Sequence, residues 1–241
     1  MPPKLLLFLA VLFAASCRKP APPDPVAQKT ADVARQIHQA QALSAEGKYP
    51  EAEKEFRQAL DAAESLYGPE HLEGVAIRAE LAGALLAEQR FEEAEYHLRG
   101  VAAARERLLG PEHPLTLASR SNFARALFAD GKYADAETEY RAVLAALKRA
   151  LGTEQADTLA VRINLADVLE KEGRHAEAET EYRLVLAIRE RVLGADHPET
   201  LATREGLAAL LAGQGHHAEA EKESRAVLEA RARQAAAPIT R

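Results

Sequence analysis

Gly47-Lys48-Tyr49-Pro50-Glu51-Ala52-Glu53 is the stretch on which the fold turns, because the chain repeats it. It returns as Gln89-Arg90-Phe91-Glu92-Glu93-Ala94-Glu95, and again at 131–137, 173–179 and 215–221, always 42 residues on. Five in-phase copies at this period predict a stacked solenoid, in which each unit buries its apolar face only against its neighbours.

The third copy supplies the unit. Leu115, Leu117, Phe123, Leu127 and Phe128 fall at helical spacing and predict a helix over 114–130. Pro114 suits its first turn, and Asp130-Gly131-Lys132 ends it. Ala136, Tyr140, Val143, Leu144 and Leu147 share one face of a second helix over 134–151, which Gly152 closes. The same punctuation stands at Gly68, Gly110 and Gly194, so every unit reads helix A, turn, helix B, turn. No period-2 strand pattern occurs. The expected fold class is all-α, a solenoid of five helix-turn-helix units over residues 26–234, with a frayed tail at 235–241.

Phe123-Ala124 in helix A, Tyr133 at the turn, and Ala136 and Tyr140 in helix B resemble the tetratricopeptide repeat (TPR). The long linkers, such as 109–114 and 193–198, make it similar to the kinesin-light-chain type of that repeat. The resemblance implies a right-handed superhelix whose concave face is lined mainly by A helices. Two departures stand out. Arg78, Arg120, Arg162 and Arg204 occupy a place where the family often has a large aromatic. The helix-B aromatic place reads Phe56, Leu98, Tyr140, Tyr182 and then Ser224, a polar residue suited to a last helix that no further unit covers.

Charged residues form columns at the same period. Arginine recurs at 57, 99, 141, 183 and 225 in helix B, and glutamate at 53, 95, 137, 179 and 221. Two readings stand: Arg–Glu pairs holding helix A against helix B, or arginines lining a groove for an acidic peptide. His71, His113 and His197 share a linker position, while His175 and His217 take the turn aromatic's place. Equivalent residues of stacked units lie about 15–20 Å apart, from helices packed 8–10 Å apart, too far to share a metal ion. No metal site and no cofactor are expected.

The function classes narrow accordingly. A 47% hydrophobic and 28% charged chain folds rather than remaining disordered. A net charge of −6 with interspersed signs gives no basic patch, so no nucleic-acid partner is expected. No phosphate loop, His-Glu-x-x-His or nucleophile-elbow motif is present. The carboxylates sit at helical surface spacing rather than in a closed pocket. Neither an enzyme nor a small-molecule substrate is expected.

The first residues read differently. Lys4, the apolar run 5–15 and then Ser16-Cys17 resemble a bacterial lipoprotein signal peptide over 1–16. The resemblance implies cleavage before Cys17, the one cysteine, and its lipidation. It also implies a location in the cell envelope, at the outer membrane facing the periplasm, since Arg18 rather than Asp follows. The Pro-rich segment 17–25 predicts an extended stalk, whose last eight residues span roughly 25 Å at about 3.1 Å each.

The TPR resemblance implies a protein or peptide partner bound in the concave groove. Mapping the repeat onto the A helices places Ser121, Asn122, Arg125, Asn164 and Asp167 of units 3 and 4 there. Asn122 and Asn164 match the asparagine that kinesin-light-chain-type repeats turn toward peptide backbone. Glu80 and Gly206 break that ladder in the flanking units. Two alternatives remain: a structural assembly factor, pilotin-like or accessory to outer-membrane assembly, and a cytoplasmic interaction protein if the N-terminus is not processed.

Overall fold

A computed structural model describes residues 24–236. Cys17, the apolar run before it and most of the Pro-rich segment lie outside the described residues. Among the described residues, ten helices pair into five hairpins: α1 Pro25–Ala45 with α2 Tyr49–Tyr67, α3 Leu72–Ala87 with α4 Phe91–Leu109, α5 Pro114–Ala129 with α6 Tyr133–Ala150, α7 Ala156–Lys171 with α8 His175–Val192, and α9 Pro198–Gly213 with α10 His217–Ala236. Odd-numbered helices are the A helices and even-numbered ones the B helices. Each helix packs on its chain neighbours, and no strand occurs among the described residues. The fold is the all-α solenoid that the repeat implies.

Local chemistry sets the ends. Pro25 opens α1 rather than closing a stalk: Asp24 caps the helix by accepting from the Val26 N–H, and proline is tolerated in the first turn. The A-to-B turn needs a left-handed residue, supplied by Gly131 at φ 79° and its counterparts. Gln89 takes that conformation without being glycine, at φ 61°. The linker histidines prove to be helix caps. Nδ1 of His71, His113 and His197 accepts the backbone N–H of Glu73, Leu115 and Glu199 at 3.2, 3.2 and 3.3 Å. Gln155, their counterpart in unit 4, makes no such bond.

The core runs along the stack. Phe56, Leu98, Tyr140 and Tyr182 are buried where a B helix meets the next A helix, whereas Ser224 on the last helix is exposed. Leu60, Leu144 and Leu186 are buried, but their counterpart Leu228 is 66% exposed because no further helix among the described residues stacks on α10. Each fully buried leucine, such as Leu81, Leu165 or Leu207, contributes roughly 1.5–3 kcal/mol.

The charge columns are structural, but their pairing differs from the expected one. Arg120, Arg162 and Arg204 in the A helices pair with Glu139, Glu181 and Glu223 of the same unit's B helix. That glutamate column went unnoticed in the sequence because unit 2 has His97 there; Arg78 turns instead to Glu64 of the preceding unit. The Glu53 column serves a different joint. Glu53 accepts from Arg57 at 2.8 Å and from Arg90, in the next unit's turn, at 2.5 Å. Glu95 repeats this with Arg99 and Lys132, and Glu137 with Arg141 and Arg174. Burial pushes the Glu53 carboxyl up, but its two arginines together hold it below the usual carboxylate range. These ion pairs tie unit to unit. A third column, Arg107–Glu70, Arg149–Glu112, Arg191–Glu154 and Arg233–Asp196, ties the B helices of units 2 to 5 to the linker ahead of their own A helices.

Candidate partner-binding cleft

Four junctions stack one unit on the next, and their chemistry alternates. Where the end of a B helix crosses the following A helix, the facing residues are Ala63 with Ile77, Arg105 with Ser119, Leu147 with Val161, and Arg189 with Thr203. Arg105 lies across its junction, donating to Ser119 Oγ at 2.8 Å and to the Leu115 carbonyl at 3.4 Å. Arg189 does the same with Thr203 Oγ1 at 2.8 Å and the Glu199 carbonyl at 3.1 Å. At the junction of units 3 and 4 the corresponding residues are Leu147, Val161 and Asp157. The shorter leucine spans nothing, and a cleft of about 250 Å³ opens there.

The floor of this cleft is apolar: Leu117 and Ala118 from α5, Leu147, Ala150 and Leu151 from the end of α6, and Ala160 and Val161 from α7. Its polar rim comprises Ser121, Asn122, Asn164, Asp157 and Glu112. The A helices α5 and α7 touch directly beside it. An apolar cavity of about 150 Å³ holds a benzene-sized guest, so this cleft takes one large side chain. Amides and a hydroxyl at its edge can bond the backbone that carries such a side chain.

Three of the five predicted site residues therefore meet in one place: Ser121, Asn122 and Asn164. Arg125 and Asp167, one helical turn further on, do not line the cleft. Arg125 is exposed and Asp167 is half-buried. The Tyr182 hydroxyl donates to Asp167 Oδ1. Burial raises the Asp167 carboxyl, against the opposing effect of that hydrogen bond, and raises Tyr182 as well. Tyr140, buried beside Arg125 and Asp167, is pushed up to about 12, chiefly by burial. Tyr182 also bears on one of the two breaks in the asparagine ladder. A Cβ at Gly206 would meet the Tyr182 ring at 2.5 Å, so an asparagine there would require the tyrosine to shift.

Leu147, Val161, Asp157, Ala118 and Ala160 were missed as cleft residues. The signal was present in the column Ala63, Arg105, Leu147, Arg189, whose variation marks the one leucine junction. No group of residues able to hold a metal ion occurs among the described residues, and no helix there is long and apolar enough to cross a membrane.

Five stacked helical hairpins with an A-helix cleft define a helical-repeat solenoid. A tetratricopeptide-repeat family model matches residues 30–99, 75–149 and 157–233, and the chain belongs to that family. Among solved structures it is similar to the nearly identical TPR-like repeats ascribed to a kinesin light chain of Podosopora anserina. That match has 28% identity and a TM-score of 0.77, over 85% of this chain and 97% of the other. It also resembles BtubC (BKLC) from P. vanneervenii at 19% identity and TM-score 0.70, over 90% of this chain and 96% of that one. A third likeness is to a Rap protein complexed with Competence and Sporulation Factor, at 11% identity and TM-score 0.67, over 83% of this chain and 54% of that one. These last two likenesses are of fold alone. A search of curated proteins found no match.

Proposed function

We propose that this protein is a lipid-anchored TPR scaffold of the cell envelope that binds an extended protein segment along its A-helix face. The observation that carries the binding role is the cleft between units 3 and 4, where an apolar floor meets Ser121, Asn122 and Asn164. The mechanism is passive docking. A pre-formed site orders the segment, the amides hold its backbone, and the cleft selects a side chain. The periodic ion pairs keep the units in register, which lowers the ordering cost at the site. No catalytic step is assigned. The anchor reading rests on the Cys17 motif, and the outer-membrane, periplasm-facing location on Arg18 rather than Asp following that cysteine.

Crosslinking and pull-down from membranes test both parts. The wild type is compared with Cys17→Ala and with Asn122→Ala/Asn164→Ala. Cys17→Ala releases the protein from the membrane fraction, and the asparagine pair loses the crosslinked partner. An unmodified Met1 in the mature protein, found by mass spectrometry, contradicts the anchor. A partner retained by the asparagine variant contradicts the cleft.

A further inference from the structure

We infer that the cleft between units 3 and 4 selects a segment carrying a large apolar side chain beside a lysine or arginine. This deepens the proposed binding role and rests on it. The apolar half of the statement follows from the floor of Leu117, Ala118, Leu147, Ala150, Leu151 and Val161. The cationic half follows from the rim. Two carboxylates, Glu112 and Asp157, line the cleft, and no lysine or arginine does. Glu112 is already engaged by Arg149 at 2.9 Å. Asp157 makes no ion pair or side-chain hydrogen bond among the described residues and is exposed in the first turn of α7. A carboxylate there is favoured by the helix dipole, and it also faces whatever enters the cleft.

At the places corresponding to Asp157, the other A helices carry Glu73, Leu115 and Glu199. Glu199 is paired with Arg189 at 3.0 Å, and the Leu115 carbonyl receives Arg105. In both cases a guanidinium from the preceding B helix occupies the ground between the two helices. At Leu147 the protein withholds that guanidinium and keeps the carboxylate. The bound segment supplies what Arg105 and Arg189 supply next door: an aliphatic stem over the floor and a positive charge at the rim. An acidic segment meets the uncompensated charge of Asp157, since Glu112 is already neutralised by Arg149.

The neighbouring junctions also provide the test variant. Leu147→Arg/Val161→Thr transplants the Arg189–Thr203 arrangement into this junction and fills the cleft with a pairing the fold already uses. A displayed random decapeptide library is selected on the immobilised full chain and counter-screened on this variant. Enriched peptides are expected to pair an apolar residue with an adjacent Lys or Arg. They are expected to lose at least about tenfold in affinity on the filled variant, which forfeits the burial of a whole side chain. Asp157→Asn weakens them by up to about fivefold, the range of an exposed ion pair, and Asp157→Lys weakens them further. Melting temperatures near the wild type verify that each variant is folded. Selection of acidic or uncharged apolar peptides, still lost on the filled variant, overturns the charge assignment while the cleft stands. Peptides indifferent to the filled variant, or no enrichment over it, overturn both.

Discussion

Replacing Arg162 should weaken the solenoid locally, and the size of the loss separates a scaffold arginine from a ligand-contacting one. Its side chain is 8% exposed and pairs with Glu181, itself 22% exposed. Breaking a fully buried pair costs about 3–5 kcal/mol, because the remaining charge is stranded. Glu181 recovers part of its hydration, so Arg162→Met should cost about 2–3 kcal/mol. The Arg78–Glu64 pair, at 25% and 29% exposure, provides the control. Arg78→Met should cost under about 1 kcal/mol, as solvent-screened pairs do. Arg162→Met/Glu181→Leu removes both charges and should recover most of the loss. Repeat arrays do not always unfold in one step, so the readout is amide hydrogen exchange in α7 and α8 alongside urea unfolding. Equal costs at Arg162 and Arg78, or a double variant whose loss is the sum of its singles, would refute the clamp. Unchanged stability with lost partner binding would return the arginine column to the groove.

Four further outcomes follow from single positions. Gln89→Gly should raise stability by about 0.5–1 kcal/mol in urea unfolding, because it relieves a left-handed non-glycine residue and gives back part of the gain as unfolded-chain entropy. His113→Ala should lose about 0.5–1 kcal/mol by the same measurement, with His113→Asp close to wild type, since either side chain caps Leu115 N–H. Leu144→Ala should cost about 2–5 kcal/mol and Leu228→Ala under about 0.5 kcal/mol, because only the first is covered by a following unit. Burial first, then Arg57 and Arg78, lowers the His97 pKa in the folded state. Its contribution is therefore complete above the unfolded-state value of about 6.5 and is lost as pH falls from there through the depressed folded value; His97→Gln should flatten that part of the pH–stability curve.

The architecture was legible because one signal, the period, fixes helices, turns and stacking together. The turn glycines, the apolar faces and the buried column of Phe56, Leu98, Tyr140 and Tyr182 all follow from it. The partners of the arginines were not legible. Glutamates at 53 and at 139 both recur at the repeat period, and only the three-dimensional stack shows that the first joins units while the second joins helices within a unit. His113 as a cap escaped notice because histidine is an unusual residue for that task. The cleft was half legible. Ser121, Asn122 and Asn164 could be placed by repeat position. The opening itself depends on Leu147, an apolar residue that in sequence looks like any other core position. Its meaning lies in the difference from Arg105 and Arg189. Asp167, on a groove-directed position, also accepts from the Tyr182 hydroxyl, a contact its repeat position alone does not show.

The binding role is tested most directly by site-specific photocrosslinking in intact membranes. One probe replaces Ala160, exposed on the cleft floor, and another replaces Thr138, exposed on α6 and not part of the cleft lining. A discrete crosslinked protein is expected from position 160, absent from position 138 and lost when Leu147→Arg/Val161→Thr fills the cleft. The same product from both positions, or one that persists in the filled variant, would contradict the binding role.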